Sequence, residues 1–146
     1  PRNYVHCFTD PALGKEAQTH FELLEEYDDY VVAMAFPQTG RQHQIRAHAA
    51  YHGYPLLGDK MYNGDPTVFM RFKDEVATSE DHQKMQIPRH ALHAVGLSLK
   101  NHSTYKEPFR AAIPNDLADW LEQKLYLNIE ELEAKIQAKI NAFFFH

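Results

Sequence analysis

Residues 41 to 53 restrict the folds open to this chain more than any other stretch. From Arg41 to His52 the residues are good helix formers, with Ile45, Ala49 and His52 along one line and Arg46, Ala50 and Gly53 along the neighbouring one. Gly53 stands where a left-handed C-cap falls and Pro55 blocks continuation, so the helix closes after about three turns. Gly40 punctuates its other end and lets a strand turn tightly into it. The segments before it carry strand patterns. Tyr4 to Phe8 reads as a short strand closed by Asp10, Pro11 and Gly14, which are turn residues. Thr19 to Tyr27 alternates Phe21 and Leu23 against His20, Glu22 and Glu25. Tyr30 to Phe36 is a β-branched, apolar run, and Asp28-Asp29 between them makes the pair an antiparallel hairpin.

The second half alternates in the same way. Residues 54 to 90 are interrupted by Gly58, Gly64, Pro66 and Pro88, and Thr78 to Lys84 is polar, so they read as a long loop with one helical turn from Val68 to Glu75. Leu92, Ala94, Gly96 and Ser98 alternate with His93, Val95, Leu97 and Leu99, which predicts a strand over 91 to 99 whose second set faces a core. Pro108 to Ile113 is its hairpin partner beyond the polar turn Asn101 to Lys106. Asn115 caps a helix through Lys124, and Asn128 caps another to about Phe143, with Ile129, Leu132, Ile136, Ile140 and Phe143 as its packing stripe. The expected class is α+β: a mostly antiparallel mixed sheet from residues 3 to 36 and 91 to 113, with flanking helices.

At 146 residues and 44% apolar, the chain has enough material for one core without covalent staples. The single Cys7 excludes an intrachain disulfide framework and makes a reducing, cytoplasmic location the expectation. The longest apolar stretch, Val31 to Pro37, is far short of the ~20 residues that cross a bilayer, so no membrane partner is expected. The net charge of −5 does not advertise a nucleic-acid binder, but its distribution does. Residues 1 to 40 are net −5 and residues 111 to 146 net −3, whereas residues 41 to 110 hold ten basic against seven acidic groups. A polyanion site belongs in that middle segment. Arg41, Gln42, His43, Gln44 and Arg46 place five side-chain donors at the start of one helix, where backbone amides already favour anions and the two guanidinium groups add planar, bidentate geometry. A solvated helix face is the plainer alternative.

The order of these residues adds to their chemistry. Thr39-Gly40-Arg41-x-His43-Gln44-Ile45-Arg46-x-His48, then Gly53-x-Pro55-Leu56-Leu57-Gly58-Asp59-x-x-Tyr62, then Leu92-His93-Ala94, resembles in collinear order the third motif region of the RluA-like family of RNA pseudouridine synthases. Looser matches at Gly14-Lys15-x-Ala17-x-Thr19 and Pro108-Phe109-x-Ala111-x-Ile113-Pro114 extend the resemblance over roughly residues 2 to 120. The resemblance implies isomerisation of uridine to pseudouridine in ribosomal or transfer RNA. A catalytic Asp acts on a uridine turned out of the RNA, the glycosidic bond breaks, and the uracil rotates and rejoins through carbon, with no metal or organic cofactor. Arg46 matches the family's Arg that holds that Asp ionised and aimed. Base extrusion costs a few kcal/mol, which contacts to the RNA offset, and Arg41, His43 and Lys60 are the candidates for those contacts.

The family's His-Arg-Leu-Asp motif, which carries the nucleophile, and its base-stacking Tyr do not occur here: His6, His20 and His93 are not followed by Arg-Leu-Asp. The chain also begins at Pro1. It is therefore expected to be the C-terminal portion of a synthase catalytic domain over residues 1–125 with a helical extension over 126–146, inert by itself, its Asp supplied by a missing N-terminal segment. Asp59 reads as a structural carboxylate that accepts backbone amides, and Tyr62 as a packing residue. Two alternatives stay open. One is a non-catalytic RNA-binding module. The other is a metal site, because His48 and His52 lie four apart with His90 and His93 to approach them, although Ala49 stands where helix-borne zinc proteases place Glu.

Overall fold

The structure, a computed structural model, describes residues 4–6, 15–99, 103–105 and 107–144. Strand β1 (Tyr4–His6) pairs antiparallel with β2 (Gln18–Glu26), and β2 is followed by β3 (Val31–Pro37) in a three-stranded sheet of order β1-β2-β3. The amide of Tyr27 donates to the carbonyl of Tyr30 at 2.8 Å across Asp28-Asp29, which closes the expected hairpin. The turn expected at Asp10, Pro11 and Gly14 lies outside the described residues. Helices α1 (Gln44–Tyr51), α2 (Pro66–Lys73) and α3 (Ser79–Met85) follow, then a second antiparallel pair, β4 (Gly96–Leu97) and β5 (Phe109–Arg110), then α4 (Asn115–Leu125) and α5 (Ile129–Phe144). The α+β class holds, with the strands in two sheets rather than one.

The chain divides into two compact units, Pro1–Leu23 with Ala33–Ala91, and Leu24–Val32 with Leu92–His146. In the first, Ala17, Met34, Phe36, Ala49, Val68, Met85 and Ile87 are buried. α1 ends as predicted: Gly53 has φ +84°, its amide donates to Ala50 O at 3.0 Å and that of Tyr54 to Ala49 O at 2.9 Å, the paired bonds of a Schellman stop. It begins later than predicted, at Gln44 rather than Arg41, and the left-handed residue at its start is His43 (φ 54°), not Gly40. Residues 54 to 90 hold two helices where the sequence reading had a loop with one turn. Asp65 caps α2 through the amide of Thr67, ahead of Pro66 at the first helical position. α3 lies in the polar stretch taken for loop, and its start is a reciprocal capping box: Thr78 Oγ1 accepts the Asp81 amide and the Asp81 carboxylate accepts the Thr78 amide. Asp81 also receives both arms of Arg71, which holds its carboxyl well below the usual carboxylate range. Thr78→Ala is expected to cost about 1 kcal/mol of stability in urea denaturation.

In the second unit, Asn128 Oδ1 caps α5 through the Glu131 amide, and Leu132, Ile136 and Ile140 of the predicted stripe are buried with Leu127. Glu133 receives the Ile113 amide at 2.6 Å and the Arg110 guanidinium, and Tyr30 meets Trp120 edge-on at 5.2 Å. The strand expected over 91 to 99 is confined to Gly96–Leu97; Ala94 and Val95 face as predicted, exposed and half-buried, but from Gly96 on the facing is the reverse: Leu97 is 58% exposed, and Gly96 turns to α5. A Cβ at Gly96 would sit 3.2 Å from Ile140 Cδ1, so the residue without a side chain takes the inner place.

Candidate functional site

α1 is held to the hairpin by one side-chain amide. Gln44 Nε2 donates to the Gln18 carbonyl (2.8 Å) and to Thr19 Oγ1 (2.9 Å), while Gln44 Oε1 accepts Thr39 Oγ1–H (2.7 Å) and the Arg41 amide (3.1 Å). Thr39 Oγ1 in turn accepts the Gln18 amide, and Thr19 Oγ1 lies 2.9 Å from His48 Nδ1. All four hydrogen-bonding positions of the buried Gln44 amide are filled, so the network fixes the height and rotation of the helix. Three of the donors and acceptors that the sequence presents in this segment, Thr39, Gln44 and His48, are thereby used inside the scaffold.

That rotation leaves Arg46 and His43 on the other side, where they line a cavity of about 540 Å³ with Gly58, Lys60, Phe72, Lys73, Pro88, Arg89 and His90 among others. None of its lining residues is acidic. Among the described residues the one carboxylate against Arg46 is Asp59, whose side chain has no exposed surface: Arg46 Nε donates to Oδ2 at 2.7 Å and Nη2 to Oδ1 at 2.8 Å. Asp59 Oδ1 also accepts the amides of Met61 and Tyr62, each at 3.0 Å. Burial alone would raise the Asp59 pKa, but the Arg46 hydrogen bond and the two amides outweigh it and hold the carboxyl below its ordinary value. The same pair raises the Arg46 pKa, against a smaller opposing effect of burial. The guanidinium carbon lies over the Tyr62 ring, 5.2 Å from its centroid, and Tyr62 OH is 3.3 Å from His43 Nδ1.

The loop that carries Asp59 is tied internally. The Asp59 amide donates to Leu56 O, and Asn63 Nδ2 donates to the carbonyls of Asp59 and Lys60. Segment 87–91 is drawn against it by the Ala91 amide on Leu57 O at 2.8 Å and by Lys60 Nζ on Pro88 O. This places Arg89 and His90 in the cavity wall. Burial first, and the charge of Arg46 second, push the His90 pKa down, so the ring stays neutral at neutral pH.

Of the residues named from sequence, Arg46, His43 and Lys60 come together here. Lys60 Nζ sits 4.8 Å from the Phe72 ring centroid, a cation over an aromatic face. Arg41 is exposed, donates through Nε to the Glu16 carbonyl at 3.2 Å, and is not among the cavity's lining residues. Sequence reasoning gave Asp59 its backbone amides but not its guanidinium, and it did not single out Lys73, Arg89 or the aromatic wall of α2. The residue pattern that could have flagged them is the net positive middle segment, which includes both cations without locating them. Among the described residues no three of His, Cys, Asp and Glu assemble as a metal donor set; His48 bonds to Thr19, and His52 packs edge-on against Tyr51.

Fold and site together define an α+β protein with a basic, acid-free cavity built around one clamped guanidinium. No family model matches the chain. It is 37% identical over 113 residues to the ribosomal large subunit pseudouridine synthase D of Vibrio vulnificus, a match covering 75% of this chain and 33% of that protein. With the synthase D of Pasteurella multocida it shares 33% identity over 123 residues, 84% of this chain and 36% of the relative. With the RNA pseudouridine synthase YlyB of Bacillus subtilis the figures are 35% over 111 residues, 75% and 31%. The chain is homologous to RNA pseudouridine synthases, in line with its motif resemblance to the RluA-like family, and it spans about a third of the length of the relatives it matches. Among the described residues no helix is long and apolar enough to cross a membrane.

Proposed function

We propose that this chain is the Arg-bearing, C-terminal portion of a synthase that converts uridine to pseudouridine in RNA, with ribosomal RNA of the large subunit as the substrate its relatives' names point to. One observation carries the reading. Arg46 spends its Nε and one Nη2 proton on Asp59, and its remaining donors have no partner among the described residues, on a residue that lines a cavity without acids. A second carboxylate fits there. The His-Arg-Leu-Asp motif that would supply it is absent from these 146 residues, so the nucleophilic Asp comes from polypeptide that precedes them. His43 and Lys60 contact the RNA from the cavity, joined by Lys73 and Arg89, and Arg41 contacts it from outside; Arg46 keeps the nucleophile ionised and aimed.

The test is to express the complete reading frame that encodes this chain, incubate it with large-subunit ribosomal RNA transcribed in vitro, and map pseudouridine by mass spectrometry. Formation of pseudouridine at a defined uridine supports the proposal. A product that binds RNA and forms none identifies a non-catalytic binding module instead. A further prediction concerns salt. A site neutralising about three phosphates gives a plot of log Kd against log salt with a slope near 2, using about 0.7 per phosphate for a single strand. Lys60→Ala should lower that slope by about 0.7 and weaken all RNA sequences alike. A flat salt response contradicts the placement of RNA on this cavity.

A further inference from the structure

A guanidinium presents five N–H bonds in one plane, and the edge it uses decides where the others point. Asp59 takes the side edge, Nε and Nη2, at 2.7 and 2.8 Å. The guanidinium carbon lies over the Tyr62 ring. Among the described residues nothing takes the end of the fork, where one proton of Nη1 and the second of Nη2 point the same way. Asp59 is itself immobilised: its side chain has no exposed surface, Oδ1 is fixed by two amides of its own turn, and the preceding Gly58 is wedged under the Arg89 carbonyl. A carboxylate held this firmly sets the position of the guanidinium it binds, and its negative charge lies on the positive one.

We infer that Asp59 is the positioning residue of this site: it clamps Arg46 by the side edge, and it offsets the charge so that the free end meets the acidic nucleophile as two aimed hydrogen bonds rather than as an uncompensated cation. The inference rests on the function proposed above and adds a second role to the carboxylate. An uncompensated Arg⁺ next to a carboxylate lowers its pKa by about 1 to 3 units and makes it a weaker nucleophile as well as a more readily ionised one. Asp59 tempers that depression. Arg46 also faces Tyr62, and His43, Lys60, Lys73, Arg89 and His90 share its cavity; none of these is a carboxylate, so Asp59 is the counter-charge among the described residues.

The sign of the pH effect follows. The acid limb of kcat marks ionisation of the nucleophile. Removing the charge at position 59 leaves Arg46 unbalanced, the nucleophile ionises more readily, and the limb moves to lower pH. In the complete enzyme, Asp59→Asn is expected to move it down by about one unit. At neutral pH kcat falls on the order of 10 to 100-fold, because an amide that offers N–H to the fork no longer holds both arms, and KM stays within about threefold. Asp59→Glu keeps the charge and displaces the carboxylate by one methylene, so the limb stays at the parent position while kcat falls. The parent enzyme's pseudouridine yield reads the proposed function, and the variants' ratios to parent read the role of Asp59. A parent that makes no pseudouridine sinks the former. An active parent overturns the latter if Asp59→Asn keeps the parent limb, or if kcat in either variant falls only in proportion to the folded fraction. Failure of both variants to fold assigns Asp59 a purely structural role and overturns the inference as well.

Discussion

Replacing Arg46 with Met in the complete enzyme is expected to lower turnover by roughly 10³-fold, the scale of losing an aimed, charged donor at a reacting centre, with RNA affinity changed less than about threefold. The same substitution strips the partner from a carboxylate with no exposed surface. Breaking a buried pair from one side costs about 3 to 5 kcal/mol, and the lower end applies here because the guanidinium borders an open cavity. Arg46→Met therefore loses both activity and about 3 kcal/mol in denaturant unfolding. The double variant Arg46→Met with Asp59→Asn separates the two losses. The Asn Oδ1 still accepts the amides of Met61 and Tyr62 while the unpaired buried charge is gone, so much of the stability returns while turnover does not. Recovery of turnover along with stability would reduce Arg46 to a structural residue, and unchanged turnover in the single variant would refute its assigned role outright.

The legibility of this fold in its sequence followed the range of the interactions that set it. The β2–β3 hairpin and the stop of α1 were readable because Asp28-Asp29 and Gly53 with Pro55 act within a few residues of themselves. The start of α1 was not. Residues 41 to 43 have helical residue types, yet the Arg41 amide is taken by Gln44 Oε1, and that amide group is positioned by Gln18, Thr19 and Thr39, which no local pattern reveals. α3 was hidden because six of its seven residues are polar and a single Met85 carries no periodic apolar signal, although the Thr78-x-x-Asp81 spacing of its cap was in plain view. The facing of residues 96 to 99 was reversed, while Ala94 and Val95 face as expected, because alternation gives two faces and does not hold them through a change of path. The inner place falls to Gly96, against Ile140.

The site shows the same division. Arg46 was singled out by its place in a motif, and His43 and Lys60 by charge and proximity to it; the structure sets the three around one cavity. The Arg46–Asp59 pair joins a helix to a loop and was not deduced, even though both residues lie within the matched motifs. Arg89 and His90 enter the cavity through the Ala91–Leu57 and Lys60–Pro88 contacts, so their place depends on a chain path that residue types do not encode. Arg41, named on the same grounds, lies outside the cavity's lining, its Nε donating to the Glu16 carbonyl.

Gly58→Ala is expected to cost about 2 to 5 kcal/mol, more than the same change at Gly53 or Gly40, and the reason lies in what the new atom meets. Gly58 has φ +72°, which costs an Ala roughly 1–2 kcal/mol. Its Cβ would lie 2.3 Å from the Arg89 carbonyl oxygen, 2.8 Å from Ile87 Cγ1 and 3.0 Å from the Arg89 carbonyl carbon. A side chain could step aside, but the backbone here is tied on both flanks, by the Ala91 amide on Leu57 O and by Lys60 on Pro88 O. Overpacking of this kind adds about 1–3 kcal/mol. Two controls isolate the terms. Gly53→Ala has the left-handed φ with nothing within 4 Å of the added atom, and should cost about 1 kcal/mol. Gly40→Ala has neither feature and should be neutral or gain up to about 1 kcal/mol from a stiffer unfolded chain. Urea unfolding of the three variants reads the series directly. If Gly58→Ala proves no worse than Gly53→Ala, the close approach of Arg89 to the Gly58-Asp59 turn is absent in solution. The wall that brings Arg89 and His90 beside Arg46 would then be absent with it.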